Sequence, residues 1–193
     1  MMRRVDPTVG CQTRLYGNAV GGAVRTQLPS HRSEDGFMPT AHLIHGYLGA
    51  GKTTFARHLE CDIPAIRFSH DEWITRLYGD NPPVEHFADF YRRIYELTEE
   101  VWCRCLELGL DVVLDFGFWN RQERDNTRAK ISTLGAQLRL YRLSCPEDEA
   151  WQRIVRRNAD LQGSLVIDRN AFEGFKERFE PLDPDEAPIE IAL

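Results

Sequence analysis

Gly46-Tyr47-Leu48-Gly49-Ala50-Gly51-Lys52-Thr53 decides how the rest of the chain is read. The spacing G-x-x-x-x-G-K-T puts glycines where a backbone must turn its N–H groups toward an anion without side-chain conflict. Lys52 adds a cation for the β- and γ-phosphates of a nucleotide, and the Thr53 hydroxyl is suited to ligate Mg²⁺. The context agrees with a phosphate-binding P-loop. An apolar strand over Ala41–His45 runs into it, and a helix over Lys52–Cys61 leaves it, presenting its positive end to the same anion. Gly46, Gly49, Ala50, Gly51, Lys52, Thr53 and Thr54 are the expected nucleotide contacts.

Working outward, strand and helix patterns alternate as in an α/β domain with a parallel sheet and crossover helices. Pro64–Ser69 reads as a strand and Asp71–Tyr78 as a short helix, with Ser69 and Glu72 at the spacing of a capping box. A long helix follows over Glu85–Leu108, its apolar stripe running Phe87, Phe90, Tyr91, Ile94, Leu97, Val101, Cys105 and Leu108. Asp111–Phe116 is the near-continuous apolar run of a strand covered on both faces. Asn120 and Glu123 cap a helix reaching Leu134, and Gln137–Ser144 alternates as a strand. Pro146–Ala159 is a helix with acids first and arginines last. Helix Asn170–Phe179, a turn-rich acidic stretch over Pro181–Pro188 and a last strand over Ile189–Ala192 complete the pattern.

Three positions outside the loop carry candidate chemistry. Asp71 opens the helix after the second strand, where a carboxylate can take the proton of an acceptor hydroxyl held beside the γ-phosphate. An acid there also complements the helix dipole, whatever else it does. Asp115 ends the central strand, where an acid can hold Mg²⁺ directly or through water, or else cap the loop of Gly117 and Asn120. Arg153 and Arg157, four apart, share a helix face and suit a phosphoryl group through their planar forks. Arg121 and Arg124 read as surface residues or as lining of an acceptor cleft. Trp73, Phe118 and Trp119 are either core or a platform for a planar acceptor. His45 and His70 show no metal-ligand spacing.

Composition bounds the function. The 193 residues suffice for one well-packed domain. A net charge of −6 argues against a broad nucleic-acid footprint. No apolar run is long enough to span a bilayer. Cys11, Cys61, Cys103, Cys105 and Cys145 lack zinc-like pairing and read as reduced thiols of a cytoplasmic protein. Residues 1–37, rich in Gly, Arg, Thr and Pro without periodicity, are expected to be a disordered extension before the domain at 38–193. Met38 directly precedes the first strand, as an upstream start codon would leave it.

The segments G-Y-L-G-A-G-K-T-T (46–54), F-S-H-D-E-W (68–73), V-V-L-D-F-G-F-W (112–119), W-Q-R-I-V-R-R-N (151–158) and F-E-P-L-D-P-D-E (179–186) together resemble small P-loop kinase-like ATPases. That group includes zeta toxins, chloramphenicol phosphotransferase and gluconate-kinase-like enzymes. The resemblance runs from Pro39 to the end. It implies a three-layer P-loop NTPase fold: a five-stranded parallel sheet of the nucleoside-monophosphate-kinase type with helices on both faces. It also implies ATP with Mg²⁺ as phosphoryl donor. Asp71 falls on the acceptor-activating aspartate, Lys52 on the P-loop lysine, and Arg153 and Arg157 on the R-x-x-x-R of a lid around 146–167. Thr53 and Asp115 are then the metal side. No nucleotide or sugar-acid acceptor pocket is legible, so the expectation is a kinase acting on a small-molecule hydroxyl. A polynucleotide 5′-hydroxyl kinase, a nucleotide-dependent regulatory ATPase and a toxin-like kinase of a sugar nucleotide are the alternatives.

Overall fold

The computed structural model describes residues 38–160 and 165–191. The expected N-terminal extension, Cys11 and residues 161–164 of the expected lid lie outside them.

Strand β1 (Thr40–His45) is buried at all six positions, as its TAHLIH composition requires only if both faces are covered. It is the middle of a five-stranded sheet in the order β2-β3-β1-β4-β5. The other strands are β2 (Ala65–Phe68), β3 (Asp111–Gly117), β4 (Gln137–Leu143) and β5 (Ile189–Ile191). Every pairing is parallel, with Ala41 opposite both Val112 and Leu138. Helices α1 (Lys52–Asp62), α2 (His70–Tyr78), α3 (Val84–Glu107), α4 (Arg121–Thr133), α5 (Glu147–Asp160) and α6 (Arg169–Lys176) make the crossovers.

Strand alternation splits the core in two. Ala41, Leu43, Val112, Leu114 and Leu140 face Trp102, Cys105 and Leu106 of α3 and Ile131 of α4. Ile44, Val113, Tyr141 and Leu143 face Ala56, Phe55 and Leu59 of α1. Burial of each large apolar side chain contributes about 1.5–3 kcal/mol. Helix α1 after β1 and helix α4 after β3 therefore lie on opposite faces of neighbouring strands. That divergence opens a crevice at the carboxyl ends of β1 and β3, the usual ligand position in open α/β sheets.

Two local expectations change. The inward face of α3 carries Ile94, Thr98, Trp102, Cys105 and Leu106, while Leu97, Val101 and Leu108 are 47, 42 and 53 % exposed. Trp102 has more surface to bury than Val101 and turns the helix by that amount. Thr98 is tolerated inside because its hydroxyl donates to the Ile94 carbonyl at 2.7 Å. At α2, Ser69 makes no side-chain cap and Glu72 is drawn into ion pairs instead. The cap at α4 forms as read, Asn120 Oδ1 accepting from the Glu123 N–H at 2.7 Å.

Candidate active site

The loop after β1 sits against the first turn of α5. A Cβ on Gly49, whose φ is 75°, would stand 2.4 Å from the Ala150 carbonyl oxygen, so that position accepts only glycine. No side chain caps α1, which leaves its first N–H groups open to an anion. Gly46 and Ala50 are buried beneath the loop, whereas Thr53 and Thr54 are exposed on the first turn of α1. Lys52 Nζ donates to the Tyr47 carbonyl at 2.9 Å, spanning the loop from below. Burial lowers the pKa of this lysine, Asp115 and Asp71 pull it back up, and Arg157 lowers it again.

Asp115, at the end of β3, is 7 % exposed. The Thr53 side chain lies close enough to favour its ionised form, while its Oδ2 accepts no hydrogen bond. Burial raises its pKa to about 6 against the opposing pull of Lys52 and Thr53. It does not cap the Gly117 loop. A buried carboxylate oxygen without a donor, next to a threonine hydroxyl, fits a divalent cation. Among the described residues no three His, Cys, Asp or Glu side chains converge on a metal. A cation here would complete its shell with water and phosphate oxygens, which suits Mg²⁺.

Asp71 stands in the first turn of α2, open to water on the floor of the crevice. Desolvation raises its pKa against the opposing pull of Lys52 and Arg157. Those two cations favour its ionised form. Arg157, near the end of α5, feels Asp71 in return, and its Nε has no partner. The structure thus brings Lys52, Asp71, Asp115 and Arg157 together. Arg153 is engaged differently: its Nη2 pairs with Glu149 one turn back at 2.6 Å.

Several residues of the site region carry no sequence signal of their own. Arg67 on β2 donates to Glu60 at 2.6 Å and to Glu72 at 2.8 Å, with Nη1 3.9 Å from Asp115 Oδ2. Glu72 also accepts from Arg57 at 2.8 Å. This chain of charges links α1, β2, α2 and β3 directly behind Asp71. The only cue was an arginine inside a short apolar strand. Arg124, read as a surface residue, is 1 % exposed and belongs to the core. Phe118 is core at 1 % exposure, Trp119 is half-buried, and Trp73 is exposed at 37 %. His45 donates from Nδ1 to the Phe118 carbonyl at 3.0 Å, and burial pushes its pKa down to about 4. His70 bonds Thr98 at 3.0 Å and stacks on Phe116 at 3.6 Å, with burial lowering its pKa to about 3. Both histidines are neutral structural groups.

This sheet order and the grouping at its carboxyl edge define the class: a P-loop, kinase-like nucleotide-binding protein. A family model described as an AAA domain matches residues 42–182, and the chain belongs to that family. Among solved structures it is similar to Kti12 of Chaetomium thermophilum in complex with ADP-AlF3, at 15 % identity over 79 % of this chain and 88 % of that one, TM-score 0.62. It is similar to a chain of the Pnkp1/Rnl/Hen1 RNA repair complex at 19 % identity over 78 % of this chain and 49 % of that one, TM-score 0.61. A gluconokinase from Sinorhizobium meliloti matches at 15 % identity over 80 % of this chain and 82 % of that one, TM-score 0.53. No curated protein matches the chain in sequence. At these identities the likeness is one of fold. Among the described residues no helix is long and apolar enough to cross a membrane.

Proposed function

We propose that the protein is an ATP-dependent phosphotransferase of the cytoplasm that moves the γ-phosphoryl group to a hydroxyl of a small molecule. The observation that carries this reading is the convergence of Asp71 on Lys52 and Arg157. A carboxylate beside the P-loop lysine can take a proton from the group that attacks the γ-phosphoryl, and an acceptor hydroxyl in place of water makes that attack a transfer.

In this reading the P-loop amides and Lys52 hold the β- and γ-phosphates, and Arg157 neutralises charge on the group in transfer. Arg153 joins from the lid once it leaves Glu149. Asp71 Oδ accepts the acceptor's hydroxyl proton as the new O–P bond forms and ADP departs. Mg²⁺, held at Thr53 and Asp115, supplies charge neutralisation at the phosphates when bound. A cavity of about 220 Å³ bordered by Tyr47, Leu48, Arg142, Cys145 and Phe179 lies on the other side of the loop and suits the nucleobase.

The gluconokinase likeness is consistent with a small acceptor. The RNA-repair and Kti12 likenesses keep a polynucleotide kinase and a regulatory ATPase as alternatives. Against a polynucleotide stand the net charge of −6 and the engagement of Arg57, Arg67, Arg92, Arg93, Arg121 and Lys130 by carboxylates.

The test is a panel of hydroxylated metabolites and a 5′-hydroxyl oligonucleotide screened for acceptor-stimulated ADP release. A small molecule that stimulates release in the wild type but not in Asp71→Asn is the expected result. Stimulation by the oligonucleotide alone, or turnover indifferent to Asp71, would overturn it.

A further inference from the structure

Trp119 is held unusually firmly for a residue in a loop. The turn that delivers it contains Gly117 at φ 84° and Phe118 at φ 49°, the latter a left-handed conformation that a phenylalanine rarely adopts. The Phe118 carbonyl is fixed from two sides, by His45 Nδ1 at 3.0 Å and by Arg124 Nη1 at 3.1 Å. The Trp119 carbonyl accepts from the Glu180 N–H at 2.8 Å. Its ring packs on Phe175 and Tyr47 at centroid distances of 5.4 and 5.9 Å. Strain maintained by this many contacts marks a side chain whose direction matters.

That direction leaves the indole donor without a partner: Trp119 Nε1 is buried and makes no hydrogen bond. An indole N–H can only donate, and a buried donor left unpaired is costly. Its surroundings show what it lacks. Nε1 stands 2.7 Å, and the Cε of Lys52 3.5 Å, from the point where a Cβ on Gly117 would lie. The indole N–H and the stem of the P-loop lysine thus both pack against Gly117. Gly117 lies two residues beyond Asp115, on the strand end shared with the metal side. Tyr47, which packs on the indole, belongs to the P-loop itself and gives its carbonyl to Lys52. The group that answers an unpaired donor beside the P-loop lysine is an anionic oxygen.

We infer that Trp119 Nε1–H donates a hydrogen bond to an oxygen of the terminal phosphoryl group of the bound triphosphate, acting with Lys52 and Arg157. The inference rests on the phosphotransferase reading for its ligand, and it gives Gly117 a definite role: any side chain there would displace the indole. The Trp119 contact is made to the triphosphate and lost in the diphosphate product, which sets it apart from the P-loop amides.

The experiment is calorimetric titration of wild type and Trp119→Phe with ADP and with the non-hydrolysable triphosphate AMP-PNP, both with Mg²⁺. Phenylalanine keeps the aromatic packing and removes the donor. AMP-PNP affinity is expected to fall roughly tenfold, a typical loss for a charge-assisted hydrogen bond, while ADP affinity stays within about twofold. Equal affinities for both ligands in the two proteins, or equal losses for both ligands, overturn the inference. A second measurement avoids dependence on the folding of that variant. In a Trp73→Phe/Trp151→Phe background, tryptophan emission reports on Trp119 and the buried Trp102. AMP-PNP is expected to shift it and ADP to leave it nearly unchanged; the same response to both overturns the assignment. A wild type that binds neither nucleotide removes the phosphotransferase reading along with this one. A wild type that distinguishes the two nucleotides yet phosphorylates no acceptor removes only the former.

Discussion

Glu186 closes on Arg124 from 62 residues further along the chain, Oε1 accepting from Nε at 2.7 Å and Oε2 from Nη2 at 2.9 Å. The remaining guanidinium donors reach the carbonyls of Phe118 at 3.1 Å, Glu180 at 3.3 Å and Pro181 at 3.2 Å. Glu186 is itself placed by a capping box with Asp183 around the 3₁₀ turn Pro184–Glu186. One buried ion pair thereby ties the start of α4, the turn after β3 and the segment before β5 into a single block beside the P-loop.

Breaking this pair from one side strands a charge in the core. Glu186→Gln and Arg124→Met are each expected to lower unfolding stability by about 3–5 kcal/mol. The double variant should lose less than the sum. Urea denaturation of the three proteins measures both effects, and strictly additive losses would mean that the two side chains act independently.

Asp71→Asn is nearly isosteric and keeps the first turn of α2. Transfer to the acceptor should fall by about 10²–10⁴, the usual worth of a general base, while ATP affinity changes little. Lys52→Ala should reverse the pattern and weaken nucleotide binding itself. Parallel binding titrations and single-turnover assays separate the two.

The domain's architecture was legible in the sequence because its signals are local. The glycines before Lys52 and Thr53, the apolar runs at Ala41–His45 and Val112–Leu114, and an acid just past a strand end each announce themselves within a few residues. What escaped depends on distance. Arg124 reads as a surface residue until Glu186 arrives 62 positions later. Arg67 interrupts an apolar strand for no local reason, since Glu60, Glu72 and Asp115 come from three other elements. On α3 two overlapping stripes, one through Leu97 and Val101 and one through Thr98 and Trp102, fit the helical period equally well, and only packing against β3 and α4 selects the second. The unpaired Nε1 of Trp119 is a property of a left-handed turn that no propensity announces.

Arg67 offers a test of positioning. It bonds Glu72, the neighbour of Asp71, while standing 3.9 Å from Asp115. Arg67→Lys keeps the charge but cannot serve Glu60 and Glu72 together as the guanidinium fork does. The expected outcome is a fall in kcat with little change in the KM for ATP, because the loop stays intact while Asp71 loses its support. An equal change in both parameters would point to a general structural defect.

Glu123 supplies a pH signature for stability. It lies half-buried in the first turn of α4, and burial lifts its pKa from 4.5 to about 7 against the weak pull of Arg124. The folded state therefore holds this proton more tightly than the unfolded chain does, so stability declines as pH rises from the unfolded value toward about 7. Glu123→Gln removes the charge and should stabilise the protein by on the order of 2 kcal/mol above pH 8. Near pH 4 it should be close to neutral. Thermal melts across this range check the sign, and a variant less stable than wild type at high pH would show that the ionised carboxylate has a partner.

Asp115 gives the complementary signature in ligand binding. Its carboxyl titrates at about 6 because burial outweighs Lys52 and Thr53, and a divalent cation requires the ionised form. Protonation and metal therefore compete for Oδ2, which accepts no hydrogen bond. Mg²⁺-dependent nucleotide affinity should be nearly flat above pH 7 and fall by about tenfold per pH unit below about 5, releasing one proton per Mg²⁺ bound there. Asp115→Asn should abolish both the slope and the proton release while preserving metal-free nucleotide binding through the loop amides and Lys52. Titrations at three pH values in buffers of different ionisation enthalpy read the proton directly, and a wild-type slope that survives in Asp115→Asn would assign the metal to another ligand.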